Sequence, residues 1–249
     1  MTFKQLYEAL SSTYTYLIAC EDTGQAVLID PVYPTVERDL QIIRSLGLKL
    51  VYSIDTHIHA DHITSARRLK ELSGSQIVYP VTSECDCADL RAEEGRPINI
   101  GGVTIDPIYT PGHTDDHYAY KIGNRILTGD ALLIDGCGRT DFQNGNADDL
   151  YKSVREKLFS LPDDTLVYPA HDYNHRHVSS ISQEKERNPR LGGNTTIEEF
   201  KRIMSELNLA YPKFIDHAVP GNKLCGVCPD DLPEKFDQYC QLMSESPQG

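Results

Sequence analysis

Between positions 57 and 62 the chain crowds three histidines and an aspartate into His57-Ile58-His59-Ala60-Asp61-His62. The apolar run Leu50 to Ile54 leads straight into this cluster. A helical pattern follows it, with Ile63, Ala66, Leu69 and Leu72 three or four apart before Gly74. A buried strand therefore delivers the cluster to its own end, just ahead of a helix. Imidazoles and a carboxylate gathered in one cleft are costly unless they are paired or bound to metal. A solvated polar loop is the alternative, and it explains such density poorly.

Three further candidates lie at the ends of predicted strands: His113 in Thr110-Pro111-Gly112-His113-Thr114, Asp130 in Leu127-Thr128-Gly129-Asp130, and His171 in Tyr168-Pro169-Ala170-His171-Asp172. Any one of them alone would read as a core or capping residue. Together they make seven donors, enough to hold two metal ions.

Strands are predicted at Tyr14–Ala19, Ala26–Asp30, Gln76–Tyr79, Val103–Tyr109, Tyr118–Ile122, Arg125–Thr128 and Leu166–Tyr168, with a Gly123-Asn124 hairpin turn. Helices are predicted from Thr35 to a Gly47 cap, from an Asn146 cap through Leu150, Val154 and Leu158, and from a Thr196/Glu199 capping box through Phe200, Ile203, Met204 and Leu207. The first ten residues read only as amphipathic. The 249 residues are expected to form a single domain with a C-terminal helix and tail from about 195, and the tail's end beyond Asp230 is expected to be poorly ordered. This order argues an α+β architecture of two sheets with helices outside them.

A formal charge of −13 argues against nucleic acid and anionic membranes as partners. No stretch has the length of a membrane span and no targeting segment is visible, so a cytoplasmic, bacterial setting is the default expectation. Seven cysteines, an odd count, are expected to be reduced thiols. Cys225-Gly226-Val227-Cys228 is half a zinc site at most, and Cys85-Asp86-Cys87 is weaker still. His117 reads as a strand-start side chain, with an extra metal ligand as the alternative. His175 and His177 read as solvated.

The His-x-His-x-Asp-His run and the three later positions, in this order, resemble the metallo-β-lactamase superfamily. The resemblance implies an αββα sandwich with the metal cleft at one edge of the sheets. Within that superfamily, Gly136-Cys137-Gly138-Arg139-Thr140-Asp141-Phe142-Gln143 is similar to the persulfide dioxygenases specifically. So are Pro169-Ala170-His171-Asp172-Tyr173, Asn188-Pro189-Arg190-Leu191 and the Ile215–Asn222 stretch, and the likeness runs from about Ser12 to Val227. It implies one Fe(II) per chain, held by His57, His113 and Asp130, a two-histidine, one-carboxylate face with coordination positions left open.

The catalytic groups are then expected to be Asp61, His62, His171 and Tyr173. His59 and Asp172 would stand behind the ligands and orient them. Arg139, Tyr173 and Cys137 are the expected substrate contacts. An Arg139–Asp141 ion pair and a packed loop tyrosine are the structural alternatives for the first two. The implied reaction adds both atoms of O2 to the sulfane sulfur of glutathione persulfide and, after hydrolysis, gives sulfite and glutathione. No external reductant enters, which suits a chain without flavin or nicotinamide motifs. Relatives suggest a homodimer. No rhodanese domain is expected, so a sulfurtransferase partner would be a separate chain. The competing readings are a binuclear glutathione thioesterase of glyoxalase II type, which would use all seven donors, and a non-catalytic thiol or metal sensor on the same fold.

Overall fold

The computed structural model describes residues 1–243. One six-stranded sheet runs in sequence order: β1 (Thr2–Glu8), β2 (Thr13–Ala19), β3 (Gln25–Ile29), β4 (Lys49–Ile54), β5 (Gln76–Pro80) and β6 (Leu90–Ala92). β3 to β6 are parallel neighbours, so each connection must cross back over the sheet. Helices α1 (Val36–Ser45) and α2 (Ala66–Ser73) make two of those crossings and cover the outer face through Val36, Leu40, Ile43 and Leu69.

The second sheet holds β7 (Ile98–Ile100), β8 (Val103–Tyr109), β9 (Tyr118–Ile122), β10 (Arg125–Gly129), β11 (Leu166–Pro169) and β12 (Ser179–Ser180), with β12 and β7 at its edges. Its outer face lies under α3 (Ala147–Lys152), α4 (Ile181–Arg187) and α5 (Ile197–Ser205), which contribute Leu150, Ile181, Phe200 and Met204. Between the sheets lies a core of Tyr16, Ile18, Val27, Ile29, Ile54, Tyr120 and Leu127. Strand periodicity explains why β2 is buried along its whole length. Tyr16 and Ile18 face the other sheet, and the alternating Leu17 and Ala19 face α1. The expected αββα sandwich is the observed one.

Several boundaries differ, each for a tertiary reason. The first ten residues supply an edge strand, because β2 offers Thr13–Ala19 as a partner in full register with Thr2–Glu8. α2 begins at Ala66 rather than Ile63, because Ile63–Ser65 are drawn into backbone pairing with Pro31–Tyr33. α3 continues from Lys152 as a π turn and then a 3-10 turn to Ser160, keeping Val154 and Leu158 on the buried face. Helix α6 (Ile215–Lys223) is one that the pattern did not predict. The end of the tail, 244–249, lies outside the described residues.

The cysteine expectation is corrected. Cys87 is bonded to Cys225, 138 residues away, and Cys228 to Cys240, leaving Cys20, Cys85 and Cys137 free. The first pairing depends on α6 docking beside β5, which no spacing rule reveals. No helix among the described residues is long and apolar enough to cross a membrane.

Candidate metal centre

Four chain segments converge at one end of the sandwich. The cluster 57–62 leaves the C-terminal end of β4, Asp130 follows β10, His171 follows β11, and His113 sits in the turn between β8 and β9. The sheets are stitched together here. Tyr14 N–H donates to the Ala170 carbonyl, and Tyr118 N–H donates to the Thr56 carbonyl.

His57, His113 and Asp130 each offer a donor atom, and all three atoms lie within 4.8 Å of one another. His113 Nε2 is 3.5 Å from Asp130 Oδ2. Hydrogen bonds behind the rings fix their tautomers. His113 Nδ1 lies 2.8 Å from the Arg139 carbonyl, which only accepts, so the proton sits on Nδ1 and Nε2 keeps its lone pair. Thr56 Oγ1 donates to Asp30 and accepts from His57 Nδ1 at 2.9 Å, so His57 Nε2 is likewise free to ligate. Burial, then the imidazoles of His59, His113 and His117, hold the His57 pKa well below its usual value, which keeps the ring neutral.

A second group faces the first. His59, Asp61 and His62 also bring donors within 4.8 Å of one another. His59 Nε2 is held by Asp30 Oδ1 at 3.0 Å, and His62 Nδ1 by Asp61 Oδ2 at 3.0 Å. Their other nitrogens, His59 Nδ1 and His62 Nε2, are buried without a partner, and so is Asp130 Oδ1. Buried polar atoms are rarely orphaned, so these three mark where a cation, water or substrate belongs. His171 Nε2 lies 3.6 Å from both Asp61 Oδ2 and Asp130 Oδ1, with Nδ1 anchored on the Ser12 carbonyl. Burial depresses the His59 pKa, but Asp30, with Asp55 and Asp61, outweighs it and lifts it to about 10. Burial opposes a smaller rise at His171, driven by Asp130 and Asp61. This excess of buried carboxylate is suited to a metal cation.

Several residues that sequence reading passed over build the cradle. Asp30, in the left-handed region, accepts from Thr56 N–H and His59 Nε2 through one oxygen. Asp116 accepts from Ile58 N–H, Ser83 Oγ and Thr114 Oγ1, pinning the loop that carries His57 and His59. His117 is not a ligand. Its Nε2 accepts from the Asp130 N–H at 3.1 Å and its Nδ1 faces Thr110 Oγ1 at 2.8 Å, so it holds Asp130 from behind. Asn222 of α6 is fully buried and clamps the cluster's backbone, donating to the carbonyls of His59 and His62 and accepting from Thr64 N–H. The sequence offered Asn222 only as the end of the Ile215–Asn222 stretch that resembles the family, and no spacing marked its role.

The expected substrate contacts are dispersed. Tyr173 is 69% exposed and stacks on His171 at the rim of the cleft. Asp172 accepts from the N–H groups of Asn174 and His177 and so shapes the loop beside it. His175 and His177 are exposed, as expected, and His177 Nδ1 also meets the Tyr14 hydroxyl at 3.0 Å. The Arg139 guanidinium is committed to both oxygens of Asp141 and to the Ala210 carbonyl. Cys137 does not line the cleft. The turns that follow β10 bury its sulfur in the core against Met204.

A profile of the metallo-beta-lactamase superfamily matches residues 10–171. The human mitochondrial persulfide dioxygenase ETHE1 is 48% identical over 227 residues, covering 90% of this chain and 88% of that one. The chain belongs to the persulfide dioxygenases of that superfamily. The crystal structure of ETHE1 from Myxococcus xanthus shares 52% identity at a TM-score of 0.89, over 91% of this chain and all of that one. A metallo-beta-lactamase from Staphylococcus aureus shares the fold alone, at 22% identity and a TM-score of 0.85, over 94% of this chain and 74% of that one. A metal cofactor fits both this membership and the convergent donors.

Proposed function

We propose that this persulfide dioxygenase oxidises the sulfane sulfur of glutathione persulfide with O2 to sulfite and glutathione, using one Fe(II) per chain held by His57, His113 and Asp130. The observation that carries the reading is the three-donor face itself. Two imidazoles whose Nδ1 atoms are tied behind them, leaving Nε2 to face a metal, and one carboxylate meet within ligating distance, in a chain 48% identical to a persulfide dioxygenase. Bound there, Fe(II) would supply open positions at which O2 and a sulfur anion can react.

The protein's own groups do the rest. His117 and the Arg139 carbonyl hold Asp130 and His113 in place. Asp61, His62 and His171 stand opposite, with His171 Nε2 turned toward Asp61 and Asp130 and placed to meet the substrate or a water. His59 and Asp172 keep the surrounding loops in shape. Tyr173 at the rim takes the substrate contact. Arg139, with its guanidinium already paired, acts by fixing the 137–142 wall rather than by meeting a substrate carboxylate. The reading includes a homodimer and a separate sulfurtransferase that delivers the persulfide.

The test is oxygen uptake by anaerobically purified, iron-loaded protein on adding glutathione persulfide, with sulfite assayed alongside and metal counted. Matched O2 loss and sulfite formation at one iron per chain is the expected result. Two tightly bound metals per chain, or no oxygen uptake, would overturn it.

A further inference from the structure

Away from the metal cleft, three cysteines meet where α6 docks beside β5. Cys87 and Cys225 are bonded. The free thiol of Cys85 lies 3.2 Å from Cys87 Sγ and 3.4 Å from Cys225 Sγ. A structural staple accounts for a buried disulfide. It does not account for a third sulfur in contact with both of the bonded ones, nor for an opening onto the bond. Here a surface cavity of about 420 Å³, lined by Arg67, Lys70, Glu71 and Ile77, ends on Cys87 and Cys225. That volume lies in the range of small-ligand sites. Cys87 is half-buried, whereas Cys85 and Cys225 are buried, so Cys87 is the sulfur a visitor meets first. Cys225 is held at φ 60°, a left-handed conformation unfavourable for a non-glycine residue, and such outliers gather at working sites.

We propose that Cys85, Cys87 and Cys225 form a thiol–disulfide exchange site for a low-molecular-weight thiol of the cysteine-peptide class. Arg67, half-exposed and only loosely paired with Glu71 at 3.9 Å, offers charge to its carboxylates, while Lys70 and Glu71 are engaged by Asp89 and Arg68. The incoming thiolate attacks Cys87 Sγ. A mixed disulfide forms with Cys87, the Cys87–Cys225 bond breaks, and the electron pair leaves on Cys225 Sγ, which takes up the proton the visitor released. A second molecule of the same thiol attacks the visitor's sulfur in the mixed disulfide, frees Cys87 and departs as the small-molecule disulfide. Two thiols are oxidised and one protein disulfide is reduced. Cys225 and Cys85 both lie close enough to attack Cys87 and expel the visitor, so the adduct has two resolving thiols. Iron chemistry has no part in this, and either reading can fail without the other.

The experiment uses the full chain in a series of glutathione to glutathione disulfide ratios, quenched by acid, alkylated and mapped by peptide mass spectrometry. Before any thiol is added, Cys85 alone of the three should alkylate in denaturant. As glutathione rises, Cys87 and Cys225 should become alkylatable and a glutathione adduct should map to Cys87. With one of two resolving thiols removed, Cys85→Ser should carry about twofold or more of that adduct at equal glutathione. Cys85→Ala serves as a second variant if the serine is poorly tolerated. Overturning results are a Cys87–Cys225 link that survives every ratio, adduct on Cys20 or Cys137 instead, unchanged adduct in both variants, or three thiols shielded by a metal that a chelator removes.

Discussion

Replacing Asn222 should loosen the metal loop from behind without touching a ligand. Its side chain makes three hydrogen bonds, at 2.9 Å to Thr64 N–H and 2.9 and 2.8 Å to the carbonyls of His59 and His62. All partners are backbone groups of buried residues, and Asn222 itself is wholly inaccessible. Asn222→Ala strands one donor and two acceptors. At about 1–3 kcal/mol for each buried group left unsatisfied, with some relief from local relaxation, the expected loss is roughly 3–6 kcal/mol. That is a large share of a typical domain's stability of about 5–15 kcal/mol. Asn222→Asp should be no milder, because its carboxylate keeps the Thr64 contact but turns oxygens toward two carbonyls. Urea unfolding followed by circular dichroism gives the loss in stability, and competition with a chelator gives metal retention. A loss below about 1 kcal/mol with metal retention unchanged would refute the claim that this asparagine clamps the loop.

Asp130→Asn removes the one charged donor of the three-residue face and should strip most of the metal while the far-ultraviolet spectrum persists; retained metal would place the ion elsewhere. Gly129 has φ 50°, and a Cβ there would lie 2.4 Å from His117 Nε2, so Gly129→Ala should cost about 2–4 kcal/mol, read as a lowered Tm. In metal-free protein, His59 has a folded pKa raised from 6.5 to about 10. Its contribution is therefore complete below pH 6.5 and lost as pH rises toward about 10. The urea midpoint should fall across that window and His59→Gln should flatten the fall; a flat wild-type curve would refute the assignment. Arg139→Ala should leave KM for the persulfide nearly unchanged and cost on the order of 1–2 kcal/mol, because a partly exposed pair with Asp141 and a hydrogen bond to the Ala210 carbonyl are what it loses; a sharply raised KM would instead put the guanidinium on the substrate.

The sequence alone determined the layers and the ligand inventory. The apolar runs at Tyr14–Ala19 and Leu50–Ile54 match strands covered on both faces, and the helical spacing of Val36, Leu40 and Ile43 matches one buried helix face, because burial imposes its pattern on the chain whatever the long-range partners. Strand ends carrying His57, His113, Asp130 and His171 were legible because polar metal-binding types interrupt apolar runs at those points. Tertiary structure alone decided which atoms meet. Nothing in spacing tells that His117 turns its lone pair to the Asp130 amide instead of a metal, that Asn222 reaches back 160 residues to the carbonyl of His62, or that Cys87 finds Cys225. It also turned Cys137 into the core and closed Arg139 onto Asp141. Local pattern records what a residue needs, burial or a partner. Which partner it gets depends on how two sheets and α6 dock, and that is settled by contacts between segments far apart in the chain.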